Sequence, residues 1–168
     1  MTFHFDIPIG GRYKLEAIRL DENGKEVSRR LLADWFSNLI VNQGLDRFGA
    51  NGNFLGYCRV GTGNTAPSNT DTNLVSQVWS TATIQTTNGT TTASSPYYSS
   101  RVNTYRFAVA PSNQNLSEIG VGWLDVGGTL FSRALILDGG GSPTTITVLT
   151  GEILDATYEF RVYSPAIS

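Results

Sequence analysis

Hydrophobic and polar positions alternate along most of this chain. In FHFDIPI, the residues Phe3, Phe5, Ile7 and Ile9 fall on one side, which is the period of a half-buried strand. Pro8 cannot donate a ladder hydrogen bond, so this strand is expected at an edge or as a partner-facing arm over residues 1–9. RYKLEAIRLDENGKEVSRRLL reads as two strands joined at Asn23-Gly24, a strong hairpin signal. Further apolar or alternating runs cover 54–60, 75–84, 102–110, 119–124, 130–137, 144–149 and 153–163. The last is the clearest, with Leu154, Ala156, Tyr158, Phe160 and Val162 on one face. Turn signals stand between the runs at Asn51-Gly52, Asn88-Gly89, Gly127-Gly128 and Gly139-Gly140-Gly141.

One segment departs from this period. In ADWFSNLIVNQGLDRFG the residues Trp35, Phe36, Leu39 and Ile40 fall at helical spacing, Asp34 can cap the start and Gly44 can end it. This predicts one short helix near residues 34–44, plugging the open end of a sheet, with Leu45 and Phe48 carrying the apolar contact another turn. STATIQTTNGTTTASSPYYSS, residues 80–100, has almost nothing to bury between Ile84 and Tyr97. It reads as a strand end followed by a long exposed loop.

Many short strands, glycine-rich turns, no alternation of strand and helix and a single helix predict an all-β fold: an antiparallel β-sandwich or barrel, with the jelly roll as one form of it. The 168 residues match one domain, 1–168, without internal repeat or linker. A chain of that length buries about 70% of its unfolded surface and needs no staples.

Composition changes the picture in one respect. Asp, Glu, Lys and Arg make up 15% of the chain, against about 25% in ordinary soluble domains, and the net charge is −2. Clustered basic residues are missing, which argues against nucleic acid as a partner. No stretch approaches the roughly 20 apolar residues of a membrane span, and the start lacks the pattern of a secretory signal. The expectation is a protein made and folded in a cytosol. A surface of hydroxyls and amides is wet but nearly neutral, so copies can pack side by side without strong like-charge repulsion.

Candidate chemistry is sparse. Gly61-Thr62-Gly63-Asn64-Thr65-Ala66 fits the written pattern of a dinucleotide-binding turn. That turn needs a helix directly after its glycines to hold the pyrophosphate. Here Pro67-Ser68-Asn69-Thr70-Asp71 follows, and Pro67 turns Ala66 away from helical geometry. The stretch reads as a strand ending in a glycine loop, with Asp71 or Thr70 capping a short turn around Leu74 and Val75. The lone His4 reads as an exposed strand histidine, and the lone Cys58 as a small buried side chain. Neither supports a triad or a zinc site. LDENG lacks the spaced carboxylates of a calcium loop. Glu152 with Asp155, and Glu118 with Asp125, are the carboxylate pairs to weigh for glycoside hydrolysis. Tyr97 and Tyr98 close the polar 80–100 segment and can stack on sugar rings, while Trp79 and Trp123 lie at strand ends. Arg101, Arg106, Arg133 and Arg161 sit in predicted strands, placed to pair with acids on a neighbouring strand or subunit.

WFSNLIVNQGLDRFG, VGTGNTAPSNTDTNLVSQV, YRFAVAPSNQNLSEIGVGW and LFSRALILDGGGSPTTITVLTGEILDATYEFRVY follow one another in that order. Together, from Trp35 to Tyr163, they resemble a group of small virion proteins of tailed bacteriophages, described as tail-fibre, tail or minor structural proteins. GTGNTAPSNTDTNL is the most recognisable piece, and SEIGVG through LFSRALI the second. The resemblance implies a particle component made in the host cytoplasm and carried in the virion. It brings no catalytic residue and no cofactor. The expectation is a non-enzymatic homo-oligomer at the tail, neck or fibre-attachment region, bound to other virion proteins including portal-proximal ones. The alternatives are a decoration protein on the head and a module that recognises host-surface glycan. Phe3, Phe5 and Ile7 are the expected protein contacts, and Tyr97 and Tyr98 the expected glycan contacts.

Overall fold

The hairpin at Asn23-Gly24 is built as read. In the computed structural model, which describes residues 7–164, β1 (Ile9–Leu20) and β2 (Glu26–Ser37) flank a turn in which Gly24 takes φ +77°. Asp21 Oδ1 accepts from the amides of Asn23 and Lys25, the local bonding that makes Asp a turn former. The remaining strands are β3 (Leu39–Ile40), β4 (Tyr57–Gly61), β5 (Gln77–Thr81), β6 (Ile84–Thr91), β7 (Tyr98–Val109), β8 (Gln114–Leu116), β9 (Glu118–Gly122), β10 (Leu130–Leu135), β11 (Ile146–Val148) and β12 (Ile153–Tyr163). The one helix among the described residues is α1 (Asn42–Gly49).

Two five-stranded antiparallel sheets form the sandwich, in the orders β2-β1-β12-β7-β6 and β3-β10-β9-β4-β5, with a two-stranded ribbon β11-β8 beside them. The alternation read in 153–163 becomes β12, the centre of the first sheet, with Leu154, Ala156, Tyr158 and Phe160 buried. They meet Cys58, Val60, Ile119, Val121 and Phe131 of the second sheet in one core. Phe54 and Phe131 stack at 4.5 Å, and Phe160 lies 5.3 Å from Phe54 and 5.5 Å from Phe131. Buried tyrosines add polar latches across the core: Tyr13 Oη bonds Ser132 Oγ at 2.7 Å, and Tyr105 Oη donates to the Leu55 carbonyl at 2.7 Å. Without these partners each hydroxyl would carry an uncompensated desolvation cost.

Two expectations are corrected. The helix starts at Asn42, not near 34, and Gly44 lies inside it. Asp34, Trp35 and Phe36 belong to β2, where Phe36 is buried against Tyr13 at 5.8 Å and Trp35 faces out over Arg12. Neighbouring residues on opposite sides are the strand period, and β1 offers pairing as far as Ser37. Gly44 is needed where it stands, because a Cβ there would lie 2.2 Å from the Phe131 carbonyl oxygen. Phe48 then closes one end of the sandwich against Phe54 and Phe160.

The second correction concerns 80–100. Residues 84–91 are strand β6, paired with β7, and Asn88-Gly89 lies within it rather than at a turn. Past Ile84 the strand is exposed throughout. Hydrophobic periodicity is silent there, since neither face has a core to meet. The backbone ladder and one hydroxyl pair, Thr90 Oγ1 with Ser100 Oγ at 2.9 Å, join it to β7 instead.

Candidate interaction site

The glycine stretch that mimics a nucleotide turn has another use. After β4 the chain runs over residues 62–76 across the outer side of the second sheet and returns at β5. Two buried side chains hold it there. Glu118, at the start of β9, accepts from the amides of Gly63 at 3.0 Å, Ser76 at 2.7 Å and Val75 at 3.0 Å. Its other partner is Arg133 of β10, 2.9 Å away and equally buried. Arg133 reaches on to Asp71 at 2.8 Å and to the Thr65 carbonyl at 2.7 Å. Asp71 therefore does not cap a turn at Leu74; its carboxylate accepts from the Ser68 amide and from Arg133. Leu74 is instead buried with Val41 and Leu130. Glycines supply the clearance: a Cβ on Gly61 would stand 2.3 Å from the Ser76 carbonyl oxygen, and one on Gly120 would stand 3.0 Å from Leu74 Cδ2. No helix follows the glycines, so there is no N-terminal cradle for phosphate.

Arg59 is the second buried cation on that side. Its Nη1 donates to the Val126 carbonyl at 3.1 Å and Nη2 to Thr129 Oγ1 at 3.4 Å, while Nε has no partner among the described residues. No carboxylate lies within ion-pair distance of it among the described residues, and burial lowers its pKa from the ordinary arginine value. Thr129 Oγ1 also donates to the Val126 carbonyl, so removing Arg59 leaves that oxygen bonded. Arg59→Met is therefore expected to raise stability by about 1 kcal/mol, measured by urea unfolding. A loss of that size would show that Arg59 is a net stabiliser.

The outward face of the first sheet carries a lattice of paired charges. Arg29 joins Glu16 and Glu26, and Arg106 takes Asp155 by two bonds of 2.8 and 2.7 Å. Glu152 is held by Arg30 at 2.6 Å and by the Leu149 amide. Burial alone would raise the Glu152 carboxyl, yet the Arg30 guanidinium and that amide outweigh it and hold it low. Thus neither Glu152 with Asp155 nor Glu118 with Asp125 forms a pair aimed across a cleft: Glu152, Asp155 and Glu118 are each tied to an arginine, and Asp125 is exposed beside Ser80.

At one end of this sheet, Glu159 accepts Arg12 Nε at one carboxylate oxygen and Arg161 Nε, 2.7 Å away, at the other. Arg12 lies 4.2 Å over the Trp35 ring and Arg161 lies 4.3 Å over Tyr98. Arg12, Trp35, Glu159 and Arg161, with Gly10, Gly11, Phe36, Ser37 and Tyr163, line a pocket of about 250 Å³. Of the expected contact residues, Ile7, Tyr97 and Tyr98 lie at this same end. The Pro8 carbonyl accepts from the Tyr163 amide, and the Tyr97 carbonyl from the Ser164 amide. Ile7 and Tyr97 are exposed, whereas Tyr98 is half-buried beneath Arg161 and 5.3 Å from Tyr163. Phe3, Phe5 and His4 lie outside the described residues. Trp79 packs on Phe107 in the core, Trp123 stacks with Arg47, and Cys58 is fully buried with its thiol pKa pushed up by that burial.

Sequence reading missed Trp35, Arg12 and Glu159 as neighbours. The available signal was the strand period of Asp34-Trp35-Phe36, hidden by the helical spacing of the same apolar residues. Among the described residues no group of three or more His, Cys, Asp or Glu is placed to hold a metal, and no helix is long and apolar enough to cross a membrane. No family model, curated protein or solved structure matches the chain.

Proposed function

We propose that this chain is a non-enzymatic structural component of a tailed-phage virion, at the tail, neck or fibre-attachment region, working by multivalent protein–protein assembly. The observation that carries the reading is the free edge of the first sheet. Among the described residues strand β6 pairs only with β7; it shows one register irregularity and carries neither a charge nor a proline. Natural proteins blunt exposed edges with charges, prolines and bulges. The opposite edge, β2, has such devices: three register shifts and the charged residues Glu26, Arg29, Arg30 and Asp34. An undefended edge of hydroxyls and amides suits addition of a neighbour's strand, with backbone hydrogen bonds giving affinity. Closed symmetry repeats each weak contact and makes the assembly strong. The resemblance carried by residues 35–163 supplies the setting, and the N-terminal segment with Phe3, Phe5 and Ile7 supplies a second contact.

A paired experiment tests this. Thr86→Lys with Asn88→Lys places two charges on β6, and a second variant lacks residues 1–6. Exposed substitutions of this kind change stability by about 0.5 kcal/mol or less, so both proteins are expected to fold. Both are expected to enter particles less than the parent does. Normal incorporation of the lysine variant overturns the role of β6. A subunit found on the capsid lattice instead would make the chain a head decoration protein.

A further inference from the structure

We infer that the pocket over Gly10 is a binding site for a carboxylated sugar residue, such as a uronic or sialic acid. This goes beyond the assembly reading and does not depend on it.

The floor of the pocket is backbone. Gly10 and Arg12 share the outward face of β1, and a Cβ added at Gly10 would meet nothing within 4 Å. Gly11 faces the other way, where a Cβ would strike the Tyr158 hydroxyl. The missing side chain at Gly10 is what makes the surface concave between Trp35 and Tyr163.

The charges around it are held in place. Glu159 is nearly buried, and each of its carboxylate oxygens takes the Nε of one arginine. Burial alone would raise the Glu159 carboxyl; the Arg161 and Arg12 guanidiniums outweigh that and keep it ionised. Each guanidinium also lies over an aromatic ring, Arg12 4.2 Å from the Trp35 centroid and Arg161 4.3 Å from that of Tyr98. Arg161 Nη1 additionally approaches the Tyr163 hydroxyl at 3.4 Å. Two cations and one carboxylate leave one positive charge in excess, on planar forks that match a carboxylate. Held this way, the forks lose little side-chain freedom when a ligand binds.

The walls select a ring. An acidic side chain from a protein partner would satisfy the arginines and make no use of Trp35 and Tyr163. A pyranose carboxylate offers apolar ring faces to the aromatics and an anion to the arginines. The volume of about 250 Å³ lies just under the range of drug-sized sites, so one sugar residue is the unit recognised.

The test uses the full chain and isothermal titration with four probes: an oligogalacturonate trimer, sialyllactose, a neutral cellotriose and a glutamate-rich peptide. At least one acidic sugar is expected to bind at least tenfold more tightly than both the neutral sugar and the peptide. Gly10→Val fills the pocket from its open floor without touching the ion pairs. It is expected to keep or raise the melting temperature, since valine favours strands, and to weaken sugar binding at least tenfold. Trp35→Ala provides a second check with the charges intact and is also expected to weaken binding. No binding by either acidic sugar, equal binding of the neutral sugar, preferential binding of the peptide, or unchanged binding by Gly10→Val each overturns the site.

Discussion

Replacing Glu118 by alanine is expected to cost about 3–5 kcal/mol, the loss typical of a broken buried ion pair. The reason is the number of groups that Glu118 satisfies. Without it, Arg133 loses a buried counter-charge, and the amides of Gly63, Val75 and Ser76 lose their acceptor. Asp71 still faces Arg133 but is partly exposed, so it compensates only in part. For a chain of this size the loss corresponds to roughly 10 °C or more in melting temperature. It is also expected to be local in a way that a generic core defect is not. Amide hydrogen exchange over residues 62–76 should accelerate before the rest of the second sheet opens. A variant that replaces Glu118 and Arg133 together by leucine and methionine should recover part of the stability, because no buried charge is left alone. A loss below about 1 kcal/mol for Glu118→Ala, or unchanged protection over 62–76, would show that the loop is held by packing alone.

The second large effect is expected at Phe131. Its ring is fully buried and sits in the aromatic group of Phe54 and Phe160, where the two sheets meet. Phe131→Ala should cost about 3–5 kcal/mol, the transfer loss plus a cavity that strand backbones close poorly. Phe131→Leu keeps most of the volume and should cost less than about 1.5 kcal/mol. The backbone of Phe131 also touches α1, through the Val41 amide and the clearance at Gly44. The alanine variant is therefore expected to loosen α1 as well, seen as faster exchange of the Leu45 amide, which donates to the Val41 carbonyl. Equal stability of the alanine and leucine variants would contradict the packing described.

These two cases also mark what the sequence makes legible. The strand pattern and the Asn23-Gly24 hairpin turn are local properties. They were readable because each buried side chain announces itself by its period, as in β12, whose bounds are those of the 153–163 run. The helix was displaced because Trp35, Phe36, Leu39 and Ile40 satisfy both periods, and only the partner strand β1 decides between them. Strand β6 was invisible because it buries nothing, and its pairing rests on backbone bonds and hydroxyls. The clasp over 62–76 joins residues distant in sequence, Glu118 to Gly63 and Arg133 to Asp71. No short motif reports such contacts, although the glycines and acids themselves stood out. It is notable in physical terms that the two most recognisable pieces, GTGNTAPSNTDTNL and SEIGVG through LFSRALI, are the two halves of that clasp. Those two pieces fix the loop to the sheet.

Under the proposed function this sandwich is a building unit joined to neighbours through its sheet edge. An electron-microscopy map of the intact particle produced by the genome that encodes the chain tests it most directly. The account expects several symmetry-related copies at the tail, neck or fibre attachment, with β6 seated against a neighbouring strand. Particles that lack the chain altogether, or copies whose β6 edge faces only solvent, would contradict it.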